Sequence, residues 1–172
     1  YGGYDADYIA DSLLKFQLPD GSFSVNQKAG DVDVTAMALQ AMAPLRGKYE
    51  EKINKALEYL NNNMTENGGY KSMGTENSES LAQVIMAKTA LKDTENMDIL
   101  INELITYQNE DGGFCHIKGG KSNSIATYQC MSALISYKNG FVYDKTNLTE
   151  TGKDDTTVNT IKWQGKYIKY IV

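Results

Sequence analysis

Gln108-Asn109-Glu110-Asp111-Gly112-Gly113-Phe114 repeats a pattern first met at Gln17-Leu18-Pro19-Asp20-Gly21-Ser22-Phe23. Between them, Gly68-Gly69-Tyr70 carries the same glycine-x-aromatic core, with Met64 at the glutamine position. The first glycines lie 47 and 44 residues apart, the period of one supersecondary unit used three times. Glycine accepts the left-handed conformation that ends a helix, and Asp20 and Asp111 before it suit a tight turn.

Working outward, each loop follows a stretch whose apolar residues recur at helical spacing. These are Tyr8, Ile9, Leu13, Leu14 and Phe16, then Ile53, Leu57, Tyr59 and Leu60, then Ile99, Leu100, Leu104, Ile105 and Tyr107. Each loop precedes a more uniformly apolar segment, at 35–42, 81–91 and 125–135, and a helix apolar around most of its surface is normally buried. The pattern predicts an all-α fold of three hairpins, each an outer half-solvated helix, a glycine loop and an inner buried helix. Inner helices are expected to start at Asp33 or Thr35, at Ser78 or Ser80, and at Ser124 or Thr127, residue types that cap free amides.

The pattern stops after Lys138, so residues 1–138 form the repeat domain and 139–172 a separate tail. Within the tail, 139–159 is polar, and 160–172 is rich in Ile, Tyr and Trp around Gln164-Gly165, as for a β-hairpin or the first piece of a following domain.

The 172 residues suffice for one ordinary domain with a sizeable core. A formal charge of -5, with 17 scattered Lys and Arg, argues against binding a phosphate backbone. No apolar run reaches the roughly 20 residues needed to span a bilayer. The start, Tyr1-Gly2-Gly3-Tyr4-Asp5, has no signal-peptide pattern and no Met, as expected of a mature or excised fragment. Cys115 and Cys130 are read as free core thiols rather than a disulfide framework. The sequons at Asn63 and Asn147 fit exposed loops and decide nothing about compartment.

Gln-x-x-x-Gly-x-aromatic between an outer and an inner helix resembles the repeat of the terpenoid cyclase and protein prenyltransferase superfamily. The resemblance covers roughly residues 8 to 138 and implies an α/α toroid, with inner helices around a central cavity. Three hairpins would then be a partial ring. Gln17, Gly21, Phe23, Gly68, Tyr70, Gln108, Gly112 and Phe114 are its structural repeat motif, with Phe or Tyr where the cyclase repeat usually has Trp.

Asp31-Val32-Asp33-Val34-Thr35-Ala36 is similar to the Asp-x-Asp-Asp-Thr-Ala segment of class II terpene cyclases. By that resemblance Asp33, with Asp31 beside it, would be the general acid that protonates an alkene, a task that needs a carboxylic acid kept protonated in an apolar cavity. Val34 replaces the third aspartate. The preferred reading is that Asp33 or Thr35 caps the inner helix, bonding the Thr35 or Ala36 amide. Cys115-His116 lacks the Asp-x-Cys context of a prenyltransferase zinc site, so neither metal nor cofactor is expected. The segments around Cys115 and Cys130 do not match a thioester motif, and the tail offers little of the second domain a cobalamin carrier uses.

The expectation is therefore a non-catalytic repeat module of a secreted or cell-surface bacterial protein, holding an unknown small ligand or protein on its concave inner-helix face. The alternative is a cyclase-like or prenyltransferase-like enzyme acting on an isoprenoid, with Asp33 facing a sizeable apolar pocket.

Overall fold

The computed structural model describes residues 5–144, together with the backbone of two strands at 158–163 and 166–171. Six helices follow in order: α1 (Ala6–Leu14), α2 (Val32–Met42), α3 (Arg46–Asn62), α4 (Ser78–Ala90), α5 (Met97–Ile105) and α6 (Ser124–Asn139). A short ribbon, β1 (Lys71–Ser72) with β2 (Thr75–Glu76), leads into α4, and a 3-10 turn at Ala43–Leu45 joins α2 to α3.

Inner helices α4 and α6 begin at Ser78 and Ser124, as the sequence pattern suggests, while α2 begins at Val32, one residue before Asp33, and in all three the capping residue lies just upstream. Their caps are Asp31, Asn77 and Asn123, whose side-chain oxygens accept from the amides of Val34, Ser80 and Ala126 at 3.1, 2.8 and 2.9 Å. The expected caps at Asp33, Thr35, Ser78, Ser80, Ser124 and Thr127 are thus displaced. Asp and Asn sit in the extended conformation that a cap requires, and the Ser and Thr residues already belong to the first turns.

Thr35 has a different task. Its hydroxyl donates to the Asp31 carbonyl at 2.6 Å and accepts from the Phe23 amide at 2.8 Å. Thr127 likewise accepts from the Phe114 amide at 2.9 Å. The aromatics of the first and third loops are thereby fastened to the inner helix that follows, and Phe23, Tyr70 and Phe114 are all buried. Burial of one such ring contributes about 1.5–3 kcal/mol.

Inner helices α2, α4 and α6 lie side by side with α4 in the middle, while α3 packs on α2 and α5 on α4. Leu39, Ile53, Leu60, Leu81, Ile85, Leu100 and Leu104 fill the space between the two layers. The expected outer/inner arrangement is present, with exceptions in burial: Met37 on α2, Ile99 on α5, and Ile125 and Tyr128 on α6 are exposed. On α1, Leu13 and Leu14 are only half-buried, and the apolar side chains of Tyr8 and Ile9, with Phe16 just beyond the helix, face solvent. In the tail, β3 (Val158–Trp163) pairs antiparallel with β4 (Lys166–Ile171), from Val158 opposite Ile171 to Trp163 opposite Lys166. The Gln164-Gly165 turn, the Asn147 sequon and the opening Tyr1-Gly2-Gly3-Tyr4 lie outside the described residues.

Candidate functional site

The recurrent loop is one turn built three times. The amide three residues before each first glycine donates to the carbonyl one residue after it: Leu18 to Ser22, Thr65 to Gly69 and Asn109 to Gly113, at 2.8, 2.9 and 2.8 Å. Gly21, Gly68 and Gly112 take φ of 89, 88 and 85°, a region that side chains rarely adopt. Gln17 and Gln108 each donate Nε2 to the carbonyl of their own glycine at 3.0 Å. In the middle loop Met64 cannot do this, and the Thr65 hydroxyl accepts from the Gly69 amide instead.

The loops also receive the next outer helix. Gln17 Nε2 reaches the Lys52 carbonyl on α3 at 2.8 Å, and Gly21 lies so close to Lys55 that a Cβ would stand on the Lys55 carbonyl. At Gly68 a Cβ would meet Ile99 Cγ2 of α5 at 2.7 Å. The motif residues therefore position helices and carry no reacting group.

The chemistry-bearing side chains lie on the side of the inner layer that the outer helices leave open. Counting from each cap, the second residue is Asp33, Glu79 or Ile125, and the sixth is Met37, Gln83 or Gln129. Residues four apart share a helix face, so these form two rows across three helices. From the next turn of α2, Gln40 donates to Gln83 Oε1 at 2.8 Å, and Gln83 Nε2 donates to Gln129 Oε1 at 3.0 Å, so three glutamines link the inner helices.

Asp33 makes no bond to the Thr35 or Ala36 amide, which corrects the expectation that it caps α2. Asp31 performs that role and also accepts from the Ser72 hydroxyl at 3.0 Å. The Asp33 carboxyl is held above its ordinary pKa, first by burial and further by the charges of Asp31 and Glu79, while the hydroxyls of Ser80 and Ser72 partly offset this. Its Oδ1 and the Ser80 hydroxyl are both buried, near enough for the hydroxyl to favour the charged carboxylate but short of a well-formed hydrogen bond. Cavities of about 390 Å3, beside Thr89, Met97 and Tyr137, and about 220 Å3, beside Leu14 and Lys52, lie elsewhere.

Glu79 accepts from the Ser78 hydroxyl at 3.0 Å and lies 2.8 Å from His116 Nδ1. The neighbouring Cys115 thiol points away and donates to the Tyr107 carbonyl at 3.2 Å. Among the described residues no three His, Cys, Asp or Glu side chains converge as metal ligands. Cys115 and Cys130 are free and buried.

The Glu79–His116 pair and the linked glutamines escape a reading of sequence alone. Gln40 stands one turn further from its cap than Gln83 and Gln129 do from theirs, and His116 lies on a loop, so no sequence alignment of the helices brings these partners together.

The model of a family described as the prenyltransferase alpha-alpha toroid domain matches residues 2–164. No curated protein matches the chain.

Proposed function

Because the chain belongs to the prenyltransferase alpha-alpha toroid domain family, a fold that does not by itself select a chemistry, we propose that it is a non-catalytic binding module. Its ligand, a small molecule or a protein segment, rests on the open face of α2, α4 and α6. The repeat module occupies 1–138, with 139–172 as a tail. The proposed setting, a secreted or cell-surface bacterial protein, rests on the resemblance and on the acidic, Asn-rich loops.

The observation that carries this reading is the linked set of Gln40, Gln83 and Gln129. Stabilising a carbocation calls for an apolar chamber lined with aromatic faces, whose quadrupoles attract positive charge. Hydrogen-bonded amides link the inner helices here, and such groups suit the orienting contacts of a polar ligand.

One observation favours the cyclase-like or prenyltransferase-like alternative. Asp33, with Asp31 next to it, is a half-buried carboxyl inclined to hold its proton, as a general acid must. Against it stands the company Asp33 keeps, which is two hydroxyls and two carboxylates rather than an apolar cavity.

Squalene and a prenyl diphosphate with Mg2+ should both be recovered unchanged after incubation with the protein, as read by chromatography and mass spectrometry. A cyclised or hydrolysed product that disappears in Asp33→Asn would overturn the proposal.

A further inference from the structure

Asp33 and Glu79 hold the same place, second from the cap, on the packed inner helices α2 and α4, whereas α6 has Ile125 there. A carboxylate in the first turn of a helix is ordinarily hydrated and favoured by the helix dipole. Asp33 is placed differently. Its Oδ1 is buried, and the charges that act on it, those of Asp31 and Glu79, are both negative. Among the described residues, the basic side chain in contact with these carboxyls is His116, on Glu79, and it is charged only when protonated. Negative charge gathered where water is partly excluded calls for a counter-charge.

An independent sign lies beneath the carboxyls. Ser80 is 0% exposed, and its hydroxyl, shut off from water, has no well-formed hydrogen bond. It lies beside Asp33 and favours the ionised carboxyl, as Ser72 does from the β1–β2 ribbon. A buried hydroxyl short of a partner is unfavourable, and full ionisation of Asp33 supplies the acceptor it lacks. The fold therefore provides donors for a charged Asp33 where the surrounding charges are negative.

The oxygens left open select the kind of cation. Asp31 uses both of its own, on the Val34 amide at 3.1 Å and the Ser72 hydroxyl at 3.0 Å. Glu79 Oε2 takes the Ser78 hydroxyl and faces His116, which leaves Oε1. Asp33 Oδ1 is buried, which leaves Oδ2. A guanidinium fork needs two open oxygens on one carboxyl, and among the described residues no three ligands converge on a metal. Single oxygens on two helices suit an ammonium, a compact charge with three donors that need share no plane. One turn beyond Asp33 on the same face, Met37 is 58% exposed and offers an apolar surface to the stem behind such a head.

We propose that the ligand of the open face is a small molecule bearing a primary alkylammonium, with its head between Asp33 Oδ2 and Glu79 Oε1 and its stem along Met37. The assignment rests on the binding-module reading and names the chemistry of its ligand.

n-Hexylammonium, titrated at constant ionic strength into the isotope-labelled 172-residue chain, should shift the amide resonances of Asp33, Glu79 and Ser80 saturably. Hexanol has the same stem without the charge and should bind at least about tenfold more weakly, as should hexylammonium to Asp33→Asn or Glu79→Gln. Glu66→Gln, at an exposed loop position, removes an equal charge and should leave the affinity unchanged. Equal binding of hexanol, or affinity indifferent to Asp33→Asn and Glu79→Gln, would overturn the ammonium assignment while leaving the open face a ligand surface. The absence of any saturable shift would also overturn it. Maleimide labelling of Met37→Cys then separates the two failures: fast labelling leaves the binding-module reading standing, and slow labelling removes it as well.

Discussion

Replacing Asp93 with Ala should lower stability by about 3 kcal/mol, whereas replacing Lys88 with Met should cost about 1 kcal/mol or less. Lys88 sits on the central helix α4 and is only 1% exposed, so its ammonium depends on the groups around it. Asp93 Oδ2 lies 2.6 Å from Lys88 Nζ, and Asn61 Oδ1 on α3 accepts from Nζ at 3.2 Å. Removing Asp93 leaves a buried cation without its counter-charge, and that uncompensated desolvation is the large term. Removing the cation instead leaves Asp93, 18% exposed, partly hydrated, and a Met fills the vacated space. Urea unfolding with the m-value held common reads both changes. Equal losses in the two variants would mean that the pair is not the buried charge site described.

The second large effect separates two glycines that look equivalent in sequence. Gly21→Ala should cost about 3 kcal/mol: about 1–2 for a side chain in the left-handed region, and a further 1–3 for moving backbone out of the way. The obstruction is the Lys55 carbonyl of α3, which cannot rotate aside as a side chain would. Gly112→Ala should cost only the conformational part, about 1 kcal/mol, because no described atom lies near its Cβ direction. Gly68→Ala falls between, since it meets the flexible Ile99 Cγ2. Thermal and urea melts of the three variants would give the order, and a Gly112 loss as large as that at Gly21 would contradict the open space that the described residues leave beside Gly112.

The hairpin count, the loop positions and the division into outer and inner helices were legible because they rest on local signals. Gly21, Gly68 and Gly112 punctuate the chain, and the composition of 81–91 announces a buried helix. The starts of α4 and α6 were legible, but the capping residues were misassigned because Asp31, Asn77 and Asn123 stand only one to four residues from other good capping types. Which of them caps depends on where the preceding loop releases the chain, and that is set by bonds such as Phe23 N–H to Thr35 Oγ1. The exposure of Tyr8 and Ile9 was illegible for a different reason. Periodicity marks an apolar stripe, and whether anything covers it depends on the neighbouring hairpin.

The candidate site was partly legible. Asp33 stood out through its resemblance to a catalytic segment, and its surroundings come from residues distant in sequence, Ser72, Glu79 and Ser80. Lys88 gave no sign of being buried, because Asp93 reaches it through the turn after α4 and Asn61 of α3 meets it only in the folded chain.

The claim that matters most is that the inner layer presents an open face to a ligand. Met37, 58% exposed on α2 four residues after Asp33, reports on it directly. Cys115 and Cys130 are buried, and burial pushes the Cys130 thiol up to about 12, so the parent chain gives little background. Maleimide labelling of Met37→Cys should proceed within a few-fold of Met73→Cys. Labelling slower by about a hundredfold, equivalent to about 2.7 kcal/mol of protection, would show the face enclosed and contradict the account.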